Sequence, residues 1–133
     1  MANLISEAKL DINQNTQNVI ERYAFLKGQP FAIPISTDDD NYMLKIYFNF
    51  ANEYPYIQIE TSSGELIQGD TYMAEYPTNL LVADDFIDYG LFFYPNENIM
   101  KFYKLDNNSC QWYNNNDKTY AEWLEMLQNE EIY

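Results

Sequence analysis

The chain has 133 residues and a formal charge of −14, set by 21 Asp and Glu against seven Lys and Arg, with no histidine. That composition excludes Ser-His-Asp and Cys-His catalysis and removes the commonest transition-metal ligand. A folded surface of roughly 7,000 Å² would carry about one net negative charge per 500 Å², a field that attracts basic partners and repels nucleic acid and anionic lipid.

With 47% hydrophobic and 17% aromatic residues the chain has the apolar surface for a core, and the length fits a single acidic domain spanning residues 1–133. The single cysteine, Cys110, allows no internal disulfide. Residues 1–10 show no basic stretch followed by an apolar one, and no apolar run approaches the ~20 residues that span a bilayer, so a cytoplasmic location is expected.

In chain order, Ile5, Ala8, Ile12, Val19, Tyr23 and Leu26 stand three, four or seven residues apart and predict an N-terminal helix. Its polar middle, Asn13 to Asn18, allows a break or a start only near Asn15. Gly28 and Pro30 end it near Lys27. From Phe31 the period becomes two. Phe31 to Ser36 predicts a strand, as does Tyr42 to Phe50, where Leu44, Ile46 and Phe48 alternate with Met43, Lys45, Tyr47 and Asn49. Tyr56 to Thr61 follows as a third strand, in meander order.

A weak strand is expected near Leu66 and Ile67, then a loop-rich stretch and the apolar run Leu80 to Ala83. Tyr89 to Tyr94 and Ile99 to Leu105 form a hairpin across Pro95-Asn96-Glu97-Asn98, a sequence rich in turn residues. A short strand from Cys110 to Tyr113 precedes a second helix. Thr119 with Glu122 marks its start, and Tyr120, Trp123, Leu124 and Leu127 share one face. The expected fold class is α+β: an N-terminal helix, an antiparallel sheet of about five to seven strands, and a C-terminal helix packed on the sheet.

Only carboxylates remain as candidate catalysts. Asp38, Asp39 and Asp40 offer hard oxygen ligands, but no bidentate glutamate follows at the spacing of a calcium-binding loop, and a solvated turn is the expectation. Asp84, Asp85 and Asp88 form a second cluster. Paired carboxylates can hydrolyse glycosides, yet nothing marks a substrate cleft, so no enzyme activity, cofactor or metal is expected. Cys110 reads as a small buried residue, because no neighbouring base lowers its pKa. Trp112 and Trp123 read as core anchors.

Most tyrosines read as packing, but Tyr54, Tyr56, Tyr72, Tyr76, Tyr89 and Tyr94 lie near acids or prolines at loop edges. Aromatic anchors amid charge are the composition of a protein-binding surface. The sign of the charge calls for a basic partner rather than nucleic acid. The expected contact residues are Asp38, Asp39, Asp40, Glu53, Tyr54, Asp70, Glu75, Tyr76, Asp84, Asp85 and Asp88, clustered where rigid sheets display recognition loops.

The succession Leu80 to Asp85, the hairpin strands YGLFFY (89–94) and IMKFYK (99–104), and TYAEWLEML (119–127) resembles the closing part of SUKH-superfamily immunity proteins, in which a hairpin is followed by an aspartate-rich turn and a final helix with an aromatic-leucine pattern. The Leu-Pro-x-x-Tyr helix signature of that family is not found in the N-terminal half. The resemblance implies bacterial toxin neutralisation by binding, with no catalytic residues to carry over.

The expected function is therefore an acidic inhibitor that covers the basic surface of a nucleic-acid-acting protein, as an immunity protein does for a toxic nuclease. A DNA mimic of phage type acting on a host nucleic-acid enzyme, such as an anti-CRISPR or anti-restriction protein, and a generic acidic interaction domain are the alternatives.

Overall fold

A computed structural model describes residues 3–73, 78–95 and 97–105. The described chain is mostly antiparallel strand in two sheets, and it divides into two compact units, Lys9–Met73 and a second formed by Met1–Ala8 with Ala74–Tyr133. The first unit holds β2 (Phe31–Ser36), β3 (Asn41–Asn49), β4 (Tyr54–Thr61) and β5 (Leu66–Tyr72), in the order β2-β3-β4-β5. The second holds β1 (Asn3–Lys9), β6 (Tyr89–Tyr94) and β7 (Ile99–Lys104), in the order β1-β7-β6.

The expected helix-sheet-helix α+β fold is thus corrected. Among the described residues there is one four-residue helix, α1 (Val19–Arg22), and two short 3-10 turns, Ala24–Leu26 and Asp84–Phe86. Residues 3–9, whose Ile5 and Ala8 belong to the N-terminal helical spacing, form a strand beside β7. The reason lies in the segment between. Asn13 Oδ1 accepts from the Asn15 amide, Thr16 Oγ1 from that of Asn18, and Asn18 Oδ1 caps the helix through the Glu21 amide. Asn and Thr side chains here take over amides that a continuous helix would need, so helix begins only after Asn18. The Cys110–Tyr113 strand and the C-terminal helix with Trp112 and Trp123 lie outside the described residues.

The four-stranded sheet is a meander in which β3 and β4 alternate between buried and outward side chains. On one face Leu44, Ile46, Ile57 and Ile59 are wholly buried, each contributing about 1.5–3 kcal/mol. Registers of Leu44 with Ile59 and Ile46 with Ile57 stack these side chains in rows. Tyr23, just after α1, lies parallel to Phe48 with ring centroids 5.2 Å apart, which pins the preceding segment to this face. Gly28, with φ of +95°, turns the chain into β2.

In the three-stranded sheet all six β6 residues are buried. The outer edge of β6 is not open. Leu80 donates its amide to the Leu91 carbonyl, and buried Asn79 accepts through Oδ1 from the amides of Leu81 and Leu91 while donating Nδ2 to the Tyr89 carbonyl. One side chain thereby joins a non-strand segment to β6. Among the described residues no helix is long and apolar enough to cross a membrane.

Candidate functional site

The outward face of the four-stranded sheet carries the site. Alternation along β3 and β4 sends Tyr47 and Tyr56 away from the buried isoleucines, and the strand registers place Tyr47 opposite Tyr56 and Tyr56 opposite Tyr72. Three tyrosines from three adjacent strands therefore form one row. Tyr47 and Tyr56 are stacked with centroids 5.7 Å apart, and Tyr72 meets Tyr56 edge-on at 6.3 Å. Tyr54, half exposed, closes the end of the row edge-on to Tyr72 at 5.2 Å.

A bulged edge strand adds the charge. Between Ile57 and Ile59 the register of β4 with β5 slips by one, so β5 holds an extra residue around Gly69 and Asp70. Gln68 turns inward at the slip and donates Nε2 to Thr71 Oγ1, which in turn donates to the Gly69 carbonyl and clasps the bulge. Asp70 stays on the tyrosine side. Its Oδ1 accepts the proton of the Tyr47 hydroxyl, which reaches across β4 to meet it. Burial first, and then the Asp70 carboxylate and Tyr56, push the Tyr47 phenol far above its ordinary value.

The β3–β4 turn supplies the remaining wall. Asn49 Oδ1 accepts from the Ala51 amide, and Asn52 accepts from Tyr54 while donating Nδ2 to the Tyr56 hydroxyl. Glu53 completes the turn in the left-handed region, at φ of 62°. An open concavity of about 560 Å³ results, lined by Pro30, Tyr47, Asn49, Asn52, Tyr56, Gln58 and Asp70. Rings form its floor, amides and one carboxylate its polar groups, and among the described residues no basic side chain lines it. The other half of this outward face differs, since there Lys45 Nζ pairs with Glu60 Oε1 at 2.6 Å.

The expected contact residues are only partly brought together. Asp70, Glu53 and Tyr54 belong to the ring end of the sheet or the turn beside it. Asp38, Asp39 and Asp40 are exposed at the opposite end, with roughly 20 Å of β3 between them and Tyr47. Their turn is self-contained: Thr37 Oγ1 accepts from the amides of Asp39 and Asp40, and Asp40 Oδ1 accepts from the amide of Asn41. Among the described residues no group of three His, Cys, Asp or Glu stands close enough to hold a metal ion.

Asp84, Asp85 and Asp88 are exposed in the other unit, on and after the second 3-10 turn, beside Val82 and Ile87, which are 67% and 66% exposed. Glu75 and Tyr76 lie outside the described residues. Tyr89 and Tyr94, grouped with the surface tyrosines on sequence, are core residues: both are buried, and Tyr94 shares a 3.1 Å hydrogen bond with Tyr103.

Tyr47, Asn49, Asn52 and Gln58 were absent from the expected contacts. For Tyr47 the signal was present in the alternation that already set it apart from Leu44, Ile46 and Phe48. Comparisons with protein-family models, with curated proteins and with solved structures gave no match.

Proposed function

We propose that this chain is an acidic protein-binding inhibitor that covers the basic surface of a nucleic-acid-acting protein, in the manner of an immunity protein set against a toxic nuclease. The observation that carries the reading is the outward-facing tyrosine row, half-buried at Tyr47 and Tyr56 and exposed at Tyr54 and Tyr72, with Asp70 on it, in a chain of net charge −14. Rigid rings supply contact area at low entropic cost, and the surrounding negative field steers a cationic surface toward them. Asp84, Asp85 and Asp88 beside exposed Val82 and Ile87 repeat the same chemistry with aliphatic side chains. The residues that would act do so by binding, and no reaction is assigned.

The test is co-purification with the product of the neighbouring gene, followed by assay of that protein's nuclease activity with the chain added at low and at physiological salt. Stoichiometric inhibition is expected, with association slowed by about an order of magnitude as salt rises and slowed again in Glu53→Lys/Asp70→Lys. Capture of a host nucleic-acid enzyme instead would assign the chain to DNA mimicry. A partner that is not basic, or binding indifferent to salt, overturns the reading.

A further inference from the structure

The tyrosine-lined concavity has features that narrow the chemistry of what it holds. A neutral apolar ligand would have no use for Asp70, and a phosphate or carboxylate would meet its negative charge. Lysine would satisfy the carboxylate as a point charge and can sit over a ring, as Lys101 does over Tyr94 at 4.6 Å, but its ammonium is not planar and cannot stack on the ring face. A guanidinium does both, since it is planar, stacks on aromatic faces and offers a fork of donors to a carboxylate.

The spacing sets how it enters. At 5.7 Å between centroids, the stacked Tyr47 and Tyr56 rings leave no room for a third plane between them, so a planar group must lie over their outward edges and faces. Tyr47 already occupies Oδ1 of Asp70, and Oδ2 is the oxygen that a ligand can take. Gln58 lines the same hollow. Asn52 holds the Tyr56 ring by its hydroxyl, so the platform exists before any ligand arrives.

Resting on the reading of the chain as a binder of basic proteins, we infer that the hollow lined by Tyr47, Tyr56, Gln58 and Asp70 receives an arginine side chain of the partner, stacked on the rings and paired with Asp70. This makes the site a discriminator as well as an anchor. Basic surfaces built on lysine would be attracted by the net charge yet would lack the stacked contact.

The test titrates the whole chain, labelled for NMR, with octa-arginine and with octa-lysine at about 150 mM salt, where diffuse attraction is screened. Octa-arginine is expected to bind about tenfold more tightly, with shifts centred on Tyr47, Tyr56 and Asp70. Asp70→Asn should remove most of that preference while leaving the amide spectrum folded. Tyr47→Phe keeps the ring and frees the Asp70 oxygen, so the preference should survive.

Equal binding of the two peptides, with shifts on Asp38, Asp39 and Asp40 rather than on the rings, overturns the arginine site and leaves the acidic-partner reading intact. No binding of either peptide overturns both. Saturable binding of cellohexaose at the rings, with no peptide effect there, assigns the hollow to carbohydrate and overturns the inference.

Discussion

In β3 every second side chain is buried and those between reach toward the surface, whereas in β6 all six residues are buried. Both strands are aromatic and both pair in antiparallel hairpins, β3 with β4 and β6 with β7. Their tyrosine hydroxyls nevertheless serve different ends. Tyr94 and Tyr103 satisfy each other inside a core, while Tyr47 and Tyr56 are tied to Asp70 and Asn52 at the rim of an open hollow. An aromatic strand covered on both faces is a packing element. Covered on one, it becomes a prepared surface.

The largest expected difference between the regions lies in truncation. Phe92 is wholly buried and meets Tyr103 edge-on. Phe92→Ala should cost about 3–5 kcal/mol in urea denaturation, a large part of the stability of a domain this size. Tyr56→Ala, on the open row, should cost about 0.2–1 kcal/mol while abolishing the preference for octa-arginine. Equal costs would mean that the row is core after all.

The Asn79 bracket separates the regions by a second route. Asn79→Ala strands the amides of Leu81 and Leu91 and the carbonyl of Tyr89 in a buried place, at a cost of about 2–3 kcal/mol. Faster hydrogen exchange at Leu91, with the amides of β3 unchanged, is the expected signature. A smaller effect, about 1–2 kcal/mol, is expected for Gly90→Ala. A Cβ there would sit 2.6 Å from the Phe92 ring and 3.3 Å from Leu105, both buried, so the hairpin must shift to admit it. The midpoint should fall while the denaturant slope stays constant.

How much of this was legible follows the same division. Period-two alternation located β2 at its observed limits and β3 within a residue, and an apolar run beside a turn-rich sequence located β6. The N-terminus misled because apolar spacings of three, four and seven are compatible with a helix, while pairing with β7 is a long-range fact that no local pattern contains. The outward tyrosines were visible as alternation. Their gathering into a row was not, because it depends on strand register, and register is set by how the turn from Phe50 to Glu53 closes. Asp70 reaches the row through a bulge that only the isolated Gly69 hints at. The burial of Tyr89 and Tyr94 was hidden for another reason: alternation reveals which residues share a face, not whether that face is covered.

The finest distinction between the two regions is electrostatic. Tyr47 is held protonated by burial and by its bond to Asp70, so its folded value lies far above that of an ordinary phenol, about 10, which the unfolded chain retains. The sign follows from proton counting. Below pH about 10 both states keep the proton and the full contribution is present, and above it the unfolded chain releases the proton first, so stability falls as pH rises toward the folded value. Tyr47→Phe lacks this decline. Urea midpoints of the two proteins at pH about 8 and about 11 should therefore converge as pH rises, the wild type losing more than the variant. The tyrosine sits near the surface and the difference is small. Parallel lines for the two proteins would show that the Tyr47–Asp70 contact does not persist in solution, and the carboxylate would then lose its fixed place on the rings.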